Sequence, residues 1–304
     1  MSRAASIVEQ PLAQLFAPAL GLPSGVRRLD RRRILVVGAG QREDEGGRMR
    51  VGNGRAMAVL LAREGASLIC LDRDAKAAHA SCEWIREEGG NAHALCLNVE
   101  DVEGIASGVA EACGVFGGLD GMVVNVGVTT PNGLAEETPQ DWDRVLAINL
   151  RAHVFFSQAA MARMDEGASI VLIGSTAGLH PRGRMPAYEA SKAALVSLGR
   201  SIALAGQERA IRCNVLAPGI IDTPMGRSEE RDKPWRAASG AGALPFGRQG
   251  TPWEVAHAAL FLLSHESSYV NGQLLVVDGG LAAGVVRPQP VPQGALTNKE
   301  GDFR

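Results

Sequence analysis

Tyr188 and Lys192 stand four residues apart in the run Tyr188-Glu189-Ala190-Ser191-Lys192, inside a segment that reads as helix. Residues at that spacing share a helix face, so the phenol and the ammonium project to one side. A free phenol, with a pKa of about 10, is a poor base at neutral pH, and a neighbouring ammonium favours its phenolate. Such a pair suits proton transfer to or from an oxygen atom. The chain has only two tyrosines, Tyr188 and Tyr269, and four lysines, Lys76, Lys192, Lys233 and Lys299. Chance alone gives this spacing in about one such chain in 40, and an exposed helix pair is the plain alternative. Ser175 closes an apolar run 13 residues before Tyr188, where a hydroxyl can hydrogen-bond the same reacting oxygen. Asn149, in Ile148-Asn149-Leu150, can hold a water or a backbone group that relays protons from Lys192.

A second set of residues suits phosphate. The first apolar run leads into Gly38-Ala39-Gly40, and Gly52-Asn53-Gly54 opens the next helical segment. Glycines between a strand and a helix let the backbone turn sharply and approach a pyrophosphate at the helix N-terminus. Here residues 41–51 separate the two groups, carrying Arg42, Glu43, Asp44, Glu45, Arg48 and Arg50. These six charges cancel. The insertion is expected to loop outward, either as plain surface or as a cover that closes on the dinucleotide through Arg48 or Arg50. Asp72 ends the second apolar run, twenty residues beyond Gly52. A carboxylate there can accept from the adenosine ribose and repels the extra phosphate of NADP, which favours NAD. Arg73 argues for NADP, and a solvated strand end is the plain reading of Asp72.

The elements that must position these residues follow from patterning. Apolar runs at 34–37, 68–71, 94–97, 122–126, 170–173, 211–216 and 274–277 are continuous rather than alternating, as in strands buried on both faces of a parallel sheet. Residues 55–64, 74–88 and 186–207 read as helices between them. The expected fold is α/β, a Rossmann-type doubly wound parallel sheet of about seven strands in one domain, residues 31–280. Residues 1–30 form an N-terminal extension, and 281–304, with Pro288, Pro290 and Pro292, a Pro-rich tail expected to be extended.

Hydrophobic residues make up 46% and charged residues 21%, and the net charge is -2, so no overall basic field draws the chain to nucleic acid or an anionic membrane. The five cysteines form no metal-like cluster. Cys70, Cys96 and Cys213 fall in apolar runs and are expected to be buried. A dispersed odd set fits a reducing compartment, and Glu9, Gln10 and Pro11 interrupt any apolar leader. No stretch reaches the roughly 20 apolar residues of a membrane span, so a cytoplasmic location is expected.

With these motifs in this order, residues 32–280 resemble a classical short-chain dehydrogenase/reductase. The resemblance implies a catalytic tetrad of Asn149, Ser175, Tyr188 and Lys192, in which Tyr188 is the general acid or base and Lys192 also binds the nicotinamide ribose. It implies that Asn98 and Val99 contact adenine and that Asn125 and Gly127, in Val124-Asn125-Val126-Gly127, belong to the cofactor site. Pro218, Gly219, Ile221 and Thr223 would then hold the nicotinamide amide and pyrophosphate, and Asp278-Gly279-Gly280 matches the C-terminal signature. Three positions depart from the pattern: Val37 replaces a threonine, Asn98 an aspartate and Val124 an asparagine. The resemblance further implies a small alcohol or ketone substrate, bounded by residues 128–137, 177–186 and 224–247. Arg182 and Arg184 would either bind an anionic group there or, as is commoner in a chain with 27 arginines, be solvated surface. A homotetramer or homodimer is implied, with Ala193, Ala194, Ser197 and Ile202 at a two-fold contact. Two other functions compete: an NADP-dependent 3-oxoacyl reductase, and a non-catalytic dinucleotide-binding regulator.

Overall fold

Short β-branched and aliphatic runs bounded by glycine and charge form strands when both faces can be covered. In the computed structural model, which describes residues 26–41, 51–130, 132–225 and 244–285, seven of them do so: β1 (Arg33–Val37), β2 (Ser67–Asp72), β3 (Asn91–Cys96), β4 (Gly121–Val124), β5 (Ser169–Ile173), β6 (Arg212–Pro218) and β7 (Leu274–Val277). They pair in the order β3-β2-β1-β4-β5-β6-β7, every pair parallel. The helices between them are α1 (Asn53–Arg63), α2 (Ala75–Glu87), α3 (Val102–Phe116), α4 (Pro139–Leu146), α5 (Ala152–Met161), α6 (Pro186–Ala205) and α7 (Pro252–Leu263). This is the doubly wound Rossmann-type sheet.

Alternation of side chains along each strand feeds two cores. Ile34, Val36, Leu68, Cys70, Val123 and Val171 pack with α1 and α7 on one face. Leu35, Val37, Ile69, Leu71, Met122 and Ile170 pack with α3, α5 and α6 on the other. Strand order reverses beside β1, whose neighbours are β2 and β4, with Val37 opposite both Leu71 and Val124. A crevice opens at the carboxyl ends of strands at such a switch point. Among the described residues no helix is long and apolar enough to cross a membrane.

Two sequence expectations need correction. The third strand begins at Asn91 rather than Ala94, because it is an edge strand with Asn91 and His93 facing solvent. For the same reason Cys96 is exposed, not buried. Contacts also reach a few residues past the expected domain 31–280. Leu29 is fully buried in the α1 core and donates its backbone N–H to Glu64. Residues 281–285 turn back rather than extend, with Val285 N–H on the Gly280 carbonyl and Ala282 N–H on Asp278.

Candidate active site

The glycine groups build a close strand-to-helix junction. Gly38, at φ +82°, donates to the Leu71 carbonyl, and its own carbonyl accepts from Asn125 Nδ2 at 3.0 Å. α1 packs so tightly here that a Cβ on Gly54 would lie 1.9 Å from the Gly38 oxygen. Gln41 Oε1 accepts from Gly52 N–H at 2.7 Å, which ties together the two ends of the inserted segment. Residues 42–50, with Arg48 and Arg50, lie outside the described residues. No side chain caps the N-terminus of α1. This end of α1 therefore has spare donors and a favourable field for an anion.

At the tip of β2, Asp72 accepts from Gly40 N–H at 2.9 Å and from Asp74 N–H at 3.1 Å. A Cβ on Gly40 would come within 2.7 Å of the Asp72 carboxyl. Arg73 is exposed beside it. Asn98 Oδ1 is engaged by Glu100 N–H at 3.2 Å, and Val99 is buried next to it. All of these residues line one cavity of about 1010 Å³, which continues past Asn125, Gly127 and Ser175 to Tyr188, Lys192, Pro218, Gly219, Ile221 and Thr223.

α6 begins on Pro186, whose fixed φ suits the first helical position, and it carries Tyr188 and Lys192 in its first two turns. Lys192 is 4% exposed. Its Nζ donates to the Ile173 carbonyl at 2.8 Å and lies 5.8 Å from the centre of the Tyr188 ring. Burial pulls the Lys192 pKa down to about 8. Ser175 follows β5 in extended backbone and caps a single 3-10 turn, Thr176–Gly178. That turn lies directly on α6: a Cβ on Gly178 would stand 2.5 Å from the Ala193 nitrogen. Gly178 thus sets the position of Ser175 against the helix bearing Tyr188.

α4 and α5 are joined by a π-helical turn, Ala147–Arg151, and Asn149 sits in it. The Asn149 side chain accepts from Val128 N–H at 2.8 Å and donates to the Val128 carbonyl at 2.9 Å and to Ser191 Oγ at 3.1 Å. Ser191 in turn donates to the Tyr188 carbonyl at 2.7 Å. Asn149 is fully buried and is the one expected site residue that does not line the cavity. Its amide holds a backbone group and ties the π-helical turn to α6. One turn on, His153 is also buried, and burial first and then the Lys192 charge hold its imidazole well below the usual range. It therefore adds no positive charge near Lys192.

Sequence reading missed Ser191, Gly178 and Glu189 as site-building residues. Ser191 and Glu189 had a signal, their place between Tyr188 and Lys192 on one helix, whereas Gly178 had none. The expected two-fold contact also needs correction: Ile202 is buried in the core beside Leu195 and Ala203, while Ala193 and Ser197 face outward. The helical period puts 195, 199 and 202 on the sheet-facing side.

Residues 49–282 match a family model described as Enoyl-(Acyl carrier protein) reductase. The cyclopentanol dehydrogenase of Comamonas sp. (strain NCIMB 9872) is 35% identical over 235 residues, 77% of this chain and 94% of that protein. The 3-oxoacyl-(acyl-carrier-protein) reductase of Escherichia coli (strain K12) is 34% identical over 232 residues, 76% of this chain and 93% of the relative. A solved structure of a doubly substituted short-chain dehydrogenase/reductase from Serratia marcescens superposes with a TM-score of 0.75 at 32% identity, covering 84% of this chain and 99% of that one.

Proposed function

The chain belongs to the classical short-chain dehydrogenase/reductases, a family of oxidoreductases, and we propose that it interconverts a secondary alcohol and its ketone with NAD(H). One observation carries this reading: the glycine cradle and the Tyr188–Lys192 pair open into the same cavity. The cradle also fits the cofactor, since no side chain caps the N-terminus of α1 and a Cβ on Gly52 would meet nothing nearer than Gln41 Oε1 at 3.8 Å. Gly38, Gly40, Gly52, Asn53 and Gly54 would hold the pyrophosphate, Asp72 the adenosine ribose, and Asn98 and Val99 the adenine. Asn125, Gly127, Lys192, Pro218, Gly219, Ile221 and Thr223 would hold the nicotinamide end.

When bound, the dinucleotide accepts or supplies the hydride, and the protein supplies position and proton transfer. In oxidation the alcohol loses its C–H electron pair as hydride, its O–H proton goes to Tyr188, and the C=O bond forms. In reduction Tyr188 returns the proton to the oxygen. The Lys192 ammonium favours the phenolate, Ser175 donates to the reacting oxygen, and Asn149 fixes the turn that faces α6.

Asp72 at the rim supports NAD. The opposite preference, with a 3-oxoacyl substrate, is the second reading; Arg73 at the same rim and the likeness to the Escherichia coli reductase favour it. A homotetramer or homodimer in the cytoplasm completes the proposal. A panel of secondary alcohols and ketones, followed by cofactor absorbance with NAD(H) and NADP(H), tests it. Turnover with preference for NAD is expected, and a preference for NADP would transfer the adenosine-end role to Arg73.

A further inference from the structure

Among the described residues, basic side chains gather at the substrate end of the cavity. Arg144, Arg182 and Arg184 line it together with His180. Of the four acids that line the cavity among the described residues, Asp72, Asp74 and Glu100 belong to the adenosine rim. The fourth, Glu189, is 6% exposed, and its carboxylate is taken up by backbone, accepting from Arg182 N–H at 2.9 Å and Gly183 N–H at 3.2 Å. Gly183, at φ +67°, turns the chain between the two arginines in a conformation that favours glycine. Glu189 follows Tyr188 in the first turn of α6, where the helix field favours an acid. The Arg182–Gly183–Arg184 turn is thus tied to the helix that carries Tyr188. Among the described residues Arg144 and Arg182 have no ion-pair partner.

A cleft lined by one sign of charge concentrates ligands of the other sign, and guanidinium groups match carboxylate, sulfonate and phosphate oxygens in pairs. Building on the dehydrogenase reading of this same site, we propose that the substrate is a secondary alcohol or ketone bearing an anionic group, which Arg182 and Arg184 hold while the reacting carbon lies at Tyr188. Arg144, on α4 and lining the same cavity, adds to the attraction. Arg182 and Arg184 are exposed at the cavity mouth, and Glu189 fixes the backbone that carries them beside Tyr188.

The test compares methyl ketones with the matching oxo acids, pentan-2-one with 4-oxopentanoate and heptan-2-one with 6-oxoheptanoate. Turnover is read with reduced dinucleotide, and binding by calorimetry on the full-length Tyr188→Phe protein in the presence of dinucleotide. For at least one pair the oxo acid should be preferred about tenfold or more, in kcat/KM and in affinity. In Arg182→Gln/Arg184→Gln that ratio should fall by about tenfold. Equal affinity for acid and ketone, no detectable binding of either oxo acid, or a ratio untouched by the substitutions would overturn the inference. Arginine-dependent binding of the acids without turnover of any compound would uphold the anion site and contradict the dehydrogenase reading. Turnover of ketones and acids alike, indifferent to the arginines, would do the reverse.

Discussion

Lys192 is a costly burial: an ammonium at 4% exposure that donates to the Ile173 carbonyl. Its pKa falls from 10.5 to about 8, so between those values the unfolded chain binds more protons and stability rises with pH. Below about 8 the folded protein carries the full penalty, about 3 kcal/mol at 1.36 kcal/mol per unit. Lys192→Met should therefore be more stable than the parent at pH 7, by up to that amount, and should lose the advantage toward pH 10. Denaturant unfolding at the two pH values checks this; a difference that does not change with pH would be inconsistent with a buried, charged Lys192. The same variant should lose turnover, the usual exchange of stability for function. Asp72 plays a comparable part at the other end. Because its carboxylate accepts from Gly40 and Asp74, Asp72→Ala should both loosen the glycine turn and remove a repulsive charge. Affinity for NAD should fall and the NADP-to-NAD preference should rise, as titration with each dinucleotide would reveal. An unchanged ratio would take cofactor choice away from Asp72.

At the scale of elements, two glycines join strand ends to helices where no other residue fits. A Cβ on Gly54 meets the Gly38 carbonyl at 1.9 Å, so Gly54→Ala should push α1 away from the cradle and weaken dinucleotide binding about tenfold or more, a loss of at least 1.4 kcal/mol. Gly178→Ala should instead displace the Ser175 turn from α6 and lower kcat, with dinucleotide affinity held within a few fold. Titration and steady-state kinetics separate the two effects; matching losses of affinity in both variants would refute the division of labour. Much of this architecture was legible beforehand, since β1, β2 and β5 are buried runs bounded by charge or glycine and α6 has proline at its start and Gly206 at its end. What could not be read depended on neighbours. The edge position of β3 decides that Asn91 and Cys96 face solvent, and an apolar run says nothing about which strand ends the sheet. Asn149 was recognised, but its partners Val128 and Ser191 come from other elements. The direction of Ile202 follows from the helical period counted from Leu195, which the small-residue pattern obscured.

For the whole molecule, a net charge of -2 conceals a local division, with arginines gathered at the substrate end and acids at the adenosine rim. Assembly is a further property at this scale. Val154 on α5 and Leu204 on α6 leave apolar surface outside the core, at 37% and 69% exposure, as a symmetric contact between copies would use. Leu204→Glu should shift sedimentation toward smaller species, and a parent protein that is already monomeric at micromolar concentration would defeat the homo-oligomer. The central claim, that one cavity couples a nicotinamide dinucleotide to a proton-handling tyrosine, meets its most direct test in Tyr188→Phe. Turnover of the best secondary alcohol and the affinity for NAD are measured together on the full-length protein. Turnover should fall at least about a hundredfold while affinity stays within a few fold, because only the proton donor is lost; residual turnover within about tenfold of the parent would contradict the mechanism.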